Sequence, residues 1–207
     1  MIYKFCLILL LLFISVPVFS IEKGTVKYDD NVVDYSVLDA DKIVKEADSF
    51  FEKYDSDFDK KNITTAMAKY YIATKIHPHD AYSTVQLART YDITRRDRQA
   101  KQYFNRALEM NKNDPYASYY FANFYFDRKD FKRALKYYKR SYDNGYQGYY
   151  DVNLKIATIY EKFADLKNAK YYYEKAYSLN TSVSTLKDKI LEIESLEYDK
   201  SEYYNRK

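Results

Sequence analysis

The sequence predicts an all-helical protein with an internal repeat, and three observations carry that expectation. Only three Gly and three Pro occur in 207 residues. Tight turns, strand bulges and phosphate-cradling loops therefore have few places to form, and long helices with short polar connections follow. Apolar residues recur at steps of three and four: Ala40, Ile43, Val44, Ala47, Phe50, Phe51, Tyr54 and Phe58 draw a stripe along a helix about five turns long. The chain also repeats itself at a fixed period. Ala88, Ala100, Phe104 and Ala107 match Ala122, Ala134, Tyr138 and Ser141 thirty-four residues on, and then Ala157, Ala169, Tyr173 and Ala176 after thirty-five more.

Composition sets the outer bounds. With 47% hydrophobic and 31% charged residues, the chain has enough apolar material for one ordered domain and does not read as disordered. Twenty-seven Tyr with no Trp, beside abundant Lys, Asn, Asp and Ile, read as the bias of an AT-rich coding sequence rather than as a selected aromatic function.

Residues 1–20 differ from the rest. Lys4 precedes an apolar run from Phe5 to Phe19 broken only by Ser15 and Pro17, and Val18-Phe19-Ser20 offers small residues at a cleavage spacing. This is the pattern of a secretory signal, and it predicts export to the periplasm or cell envelope. An uncleaved anchor is the alternative, although the run is shorter than the ~20 residues that span a bilayer. Cys6 lies inside the run rather than after it, which disfavours lipidation. Without residues 1–20 the chain keeps 33 basic residues (34 less Lys4) against 30 acidic, a net of +3. It also keeps no Cys, so stability has to come from packing. Residues 21–38 lack helical period and read as a linker or irregular arm.

In the repeats, Tyr91, Tyr125 and Tyr160 stand three residues after the first Ala of each copy, and Leu87, Phe121 and Ile156 stand one before it. The extra residue between the second and third copies falls in Asn144-Gly145-Tyr146-Gln147-Gly148, read as a flexible turn. These signposts resemble the tetratricopeptide-repeat (TPR) family, whose unit is two antiparallel helices with small and aromatic residues at set positions. The resemblance covers Ala81 to Thr181 well. A degenerate copy precedes it, with Ala66, Tyr70, Ala73 and Pro78 in the second helix and Ala47 as the small residue of a lengthened first helix. The family's Trp is absent.

The resemblance implies a right-handed α-solenoid over 39–182, with repeats at about 39–80, 81–114, 115–149 and 150–182. Small residues let the two helices of a pair approach closely, and stacking buries the second face of each pair. A capping helix and tail would follow over 183–207, where Val183, Leu186, Ile190, Ile193 and Leu196 keep helical spacing. Asp80, Asp114 with Pro115, and Asn180 to Ser182 supply capping residues.

Family members hold ligands on the concave side lined by the first helix of each pair, so the resemblance implies a peptide-binding groove. Helical spacing puts Tyr82, Gln86, Arg89 and Ile93 on one inner stripe, and Tyr116, Tyr120, Asn123 and Asp127 on the next. Asp151, Lys155, Thr158 and Lys162 form a third, and Tyr119 and Phe126 flank the middle one. Asn and Gln can pair with peptide amides, Tyr can pack its side chains, and Arg89 or Lys155 can meet a carboxylate. Packing against a neighbouring repeat is the other use of these Tyr. Asn123 is expected to affect binding with little effect on stability. A two-carboxylate clamp, known in some members, does not fit, because Val85, Tyr120 and Asp151 occupy its polar or basic places.

The second helix of the middle repeat crowds Arg128, Lys129, Lys132, Arg133, Lys136, Lys139 and Arg140. A solvated outer face explains it, and contact with anionic lipid headgroups or an anionic envelope polymer is the functional alternative. Export and the small net charge argue against nucleic acid. His77 and His79 flank Pro78 in a turn with no third ligand, so no metal is expected, and no cofactor motif or catalytic constellation is present. The sequence thus predicts an exported scaffold for a protein or peptide. A carbohydrate or cell-wall binder, or an accessory subunit of an envelope complex, is the alternative.

Overall fold

A computed structural model describes residues 25–28, 31–34 and 38–205, with side chains over 38–196. The expected signal, residues 1–20, lies outside the described residues. Two compact units divide the chain, the first ending at Met110 and the second beginning at Asn111.

The first unit opens with a correction. The segment 21–38, expected as a linker or irregular arm, contains a two-stranded antiparallel hairpin: β1 (Thr25–Tyr28) pairs with β2 (Asn31–Asp34), with Val26 opposite Val33 and Tyr28 opposite Asn31. Thr25, Val26, Val32 and Val33 are β-branched, which favours extended backbone over helix. Two helix pairs follow: α1 (Ala40–Asp57) with α2 (Lys60–Ile76), and α3 (Ala81–Ile93) with α4 (Asp97–Met110). As the sequence required of the degenerate copy, α1 is lengthened to 18 residues against 13 in α3.

In the second unit α5 (Pro115–Asp127) pairs with α6 (Phe131–Ser141), and α7 (Tyr150–Lys162) with α8 (Leu166–Leu179). The long α9 (Ser184–Asn205) packs on α8. Leu186 and Ile193 of α9 are buried, whereas Leu191 and Leu196 are exposed. Two ion pairs fasten this cap: Lys189 Nζ to Glu161 Oε1 of α7 at 2.6 Å, and Lys170 Nζ of α8 to Glu194 Oε1 at 3.0 Å. Among the described residues, everything from Ala40 onward is helix or turn.

Helix starts are fixed locally by aspartate. Asp39, Asp59, Asp80, Asp114, Asp130 and Asp165 each accept a backbone N–H of the first turn that the helix itself leaves unpaired. Pro115 takes the first position of α5, where no N–H is needed. Inside every pair the turn runs through one left-handed residue, Phe58, Arg95, Lys129 or Ala164, at φ between 56° and 60°.

The pairs cross at residues with almost no side chain. Ala47 and Ala66 in the first pair, and Ala88 and Ala100 in the second, have no exposed surface. The same holds for Ala122 and Ala134, and for Ala157 and Ala169. Beside these crossings a tyrosine of the first helix stacks on one of the second: Tyr91 on Tyr103 at 5.4 Å, Tyr125 on Tyr137 at 5.7 Å, and Tyr160 on Tyr172 at 5.8 Å between ring centroids. Burial pushes the hydroxyls of Tyr91 and Tyr172 up to about 12, so both stay neutral near pH 7. The extra residue before α7 is absorbed in a wide π-type turn, Tyr142–Tyr146, through Gly145 at φ 125°.

Two outcomes test this packing. Ala134→Leu forces extra methylenes into a closed crossing and should lower unfolding free energy by about 1–3 kcal/mol in a denaturant titration. Ala164→Gly relieves a left-handed backbone at an exposed site and should raise it by about 0.5–1 kcal/mol, after allowance for the freer unfolded chain.

Candidate functional site

On the first unit a chain of hydrogen bonds runs across the first-helix face. Asp48 Oδ1 of α1 accepts from Tyr70 Oη of α2 at 2.5 Å and from Tyr82 Oη of α3 at 3.0 Å. Gln86 Nε2 donates to Tyr82 Oη at 2.8 Å, and Arg89 Nη1 donates to Gln86 Oε1 at 2.7 Å. The Arg89 guanidinium stands 4.5 Å from the Phe51 ring centroid. Burial, reinforced by Asp48, holds the Tyr70 hydroxyl far above its ordinary range.

The sequence-selected Tyr82, Gln86 and Arg89 thus meet, but in different roles. Tyr82 is 42% exposed and Arg89 half-buried, while Gln86 is only 5% exposed and engaged at both amide ends. Its expected place as an open partner for peptide amides is therefore corrected: it braces Tyr82 and Arg89 from beneath. Asp48 escaped the sequence reading because the lengthened α1 shifts the register, and its one signal is an acid directly after the crossing Ala47.

On the second unit α5 carries a tyrosine cluster. Tyr120 meets Tyr116 edge-on at 4.8 Å and Tyr119 at 5.0 Å. Tyr119 continues to Tyr146 of the π-type turn at 6.2 Å, and Tyr146 stacks on the exposed Tyr149 at 4.2 Å. Tyr116, Tyr119 and Tyr120 are half-buried, so each presents part of a ring. Beneath them the buried Tyr138 of α6 donates its hydroxyl to Asn123 Oδ1. Burial pushes that hydroxyl strongly up, and the nearby Tyr119, Asp127 and Asp151 add to the shift.

The α7 residues adjoin this cluster through Phe126. Lys155 Nζ lies 4.1 Å from the Phe126 ring centroid, and Phe126 in turn meets Tyr138 edge-on at 6.2 Å. Asp127 and Asp151 are exposed, and Lys155 and Thr158 half-buried. The Thr158 hydroxyl donates to its own helix, at Leu154 O and 2.8 Å. Farther along α7, Glu161 accepts from Tyr173 Oη at 2.5 Å as well as from Lys189. Burial acts to raise the Glu161 pKa, but the bonds from Lys189 and Tyr173 outweigh it and hold the carboxyl below its usual range.

The α5–α7 face presents aromatic edges, an amide, a cation and two exposed acids. Among the described residues no group of three His, Cys, Asp or Glu is placed to hold a metal. His77 and His79 are exposed at the end of α2.

Helix pairs that cross at alanines, stack side by side and end under a capping helix define an all-α repeat protein of the solenoid class. The tetratricopeptide-repeat family profile matches residues 81–114 and 150–182, the α3/α4 and α7/α8 pairs. These two segments are similar to tetratricopeptide repeats, and the profile is that of a repeat rather than of a catalytic family. No curated protein matches the sequence. Among solved structures, the MamA protein is similar at 17% identity and TM-score 0.62, over 80% of this chain and 88% of MamA. PilF of Pseudomonas aeruginosa follows at 16% and 0.62, over 76% and 72%. YrrB, described as a TPR protein with an unusual peptide-binding site, is similar at 14% and 0.60, over 77% and 78%. At these identities the likeness is one of fold.

Asn123 is tied into the core by Tyr138, so the expectation that it is neutral for stability changes. Tyr138→Phe leaves Asn123 Oδ1 without its donor, and Asn123→Ala leaves the buried hydroxyl without its acceptor. Each should cost about 1–2 kcal/mol in thermal or denaturant unfolding.

Proposed function

We propose that this chain is an exported, non-catalytic scaffold of the periplasm or cell envelope that holds an extended peptide segment of a partner protein on the first-helix face of α5 and α7. The observation that carries the reading is the half-exposed cluster of Tyr116, Tyr119 and Tyr120 beside Asn123 and Lys155. Folding alone would bury such rings or leave them scattered. A contiguous, partly open set held rigid by edge-on contacts costs little ordering entropy when a ligand packs on it.

Each group has a definite task. The tyrosine edges take the side chains of an extended segment, and their hydroxyls and the Asn123 amide meet its backbone. Lys155 is steered by the Phe126 ring to the α7 side of the patch, where a ligand carboxylate would find it. A peptide suits this set better than a sugar, because stacking aromatics at sugar sites work beside clustered acids and amides. Here the face carries only two acids, Asp127 and Asp151. The family profile and the described peptide site of YrrB support a binding role of this kind. Export rests on the apolar run Phe5 to Phe19 behind Lys4.

A peptide ligand selected from a displayed random library, and titrated calorimetrically against variants, tests the reading. Tyr120→Ala and Lys155→Ala should each weaken binding about tenfold or more, with Lys155→Ala leaving the unfolding midpoint nearly unchanged and Tyr120→Ala costing only its edge-on contacts, about 1 kcal/mol. Lys139→Ala, on the exposed side of α6, should change neither. Selection that returns only ligands insensitive to Tyr120 and Lys155 rules out this face, and enrichment on a glycan array with no peptide ligand favours the carbohydrate reading.

A further inference from the structure

The turns inside the two helix pairs of the second unit lie next to one another, and between them is an open depression of about 430 Å³. It is lined by Arg128, Lys129, Asp130, Phe131, Lys132 and Phe163. We propose that this edge docks on a bilayer surface carrying anionic phospholipid headgroups, with the cations on the phosphates and Phe163 at the headgroup boundary.

The charge balance comes first. Asp130 is the one acid in the lining, and it is already occupied: it caps α6 by accepting from Arg133 N at 3.1 Å and pairs with Arg133 Nη2 at 2.6 Å. Arg128 is held in place by donation to Phe124 O at 2.8 Å and by lying 3.7 Å over the Phe124 ring. Lys129 and Lys132 are exposed, and among the described residues neither reaches a carboxylate. Lys162 adds a further cation 5.2 Å from the Phe131 ring. The exposed Lys129 and Lys132, with Lys162 beside them, attract anions, and several cations on one edge match a surface of many phosphates better than a single small ion.

Phe163 selects the kind of anion. It is 43% exposed at the C-terminal end of α7, beside the cations of the depression. A soluble polyanion has no use for a bare ring beside the cations, whereas a bilayer takes the ring at its boundary while the lysines stay with the headgroups. The left-handed backbone at Lys129 and Ala164 keeps both turns short, so ring and cations sit at the tip of the pairs.

Acetylation of lysines in the full chain, followed by mass spectrometry, provides the test. The probes are vesicles of phosphatidylcholine alone and vesicles with phosphatidylglycerol added. The apolar residues 5–19 favour both vesicles alike, so the comparison reads this edge. Lys129 and Lys132 should react several-fold more slowly on the phosphatidylglycerol vesicles only, with the protection lost at high salt, while Lys175 and Lys187 react equally on both. Phe163→Ser should weaken the protection without shifting the unfolding midpoint, and Lys132→Glu should abolish it at Lys129. Equal reactivity on the two vesicles overturns the proposal. So does protection by soluble polyglutamate that matches the vesicles and ignores Phe163→Ser, which assigns the edge to a soluble polyanion.

Discussion

Close approach of helix backbones is the constraint on which the rest of this structure depends. In the α5/α6 and α7/α8 pairs, Ala122, Ala134, Ala157 and Ala169 are all fully buried. An alanine has no rotamers to lose and lets two helices meet almost at van der Waals contact, so dispersion between main chains replaces side-chain interdigitation. The space on either side of such a crossing then has to be filled by something large and flat. The stacked pairs Tyr91/Tyr103, Tyr125/Tyr137 and Tyr160/Tyr172 do this in three successive repeats. With no Cys after residue 20, no covalent staple assists.

The other side of each crossing carries the polar consequence. A tyrosine from the second helix reaches under the first and donates its hydroxyl to a polar group there: Tyr70 to Asp48, Tyr138 to Asn123, Tyr173 to Glu161. The α3/α4 pair departs from this, because Phe104 has no hydroxyl and is simply buried. There the polar chain of Tyr82, Gln86 and Arg89 is organised from α3 itself and tied to α1 through Asp48. A buried hydroxyl needs an acceptor, so the residue that supplies it is fixed both for the core and for the surface that a ligand meets.

Much of this fold was legible because small residues at a fixed period have no other common explanation. Ala88, Ala122 and Ala157, spaced by thirty-four and thirty-five, mark positions that are fully buried in three successive pairs. The misses have separate physical causes. The hairpin at 25–34 has strands of four residues, too short for alternation to stand out. Gln86 looked open because helical period says which residues share a stripe and not how deeply a neighbouring helix covers it. Asp48 was hidden by the altered length of α1. Arg95, Lys129 and Ala164 sit at left-handed turns where Gly would have announced the bend, and their side chains gave no such sign. Of the candidate site, the tyrosines of α5 and Lys155 were readable from spacing, while the support beneath them from Tyr138 and Tyr146 was not.

The π-type turn at Tyr142–Tyr146 bears on how such an array changes over time. One added residue in a continuous helix would rotate everything after it by about 100°, carrying Ala157 away from its crossing. Here the surplus is taken up within five residues, where Asn144 Nδ2 caps Arg140 O at 2.7 Å and Gly145 accepts a backbone angle closed to other residues. The pairs before and after therefore keep their own registers. This junction is a length buffer: a residue inserted or deleted between α6 and α7 can be absorbed there without changing the register of either pair.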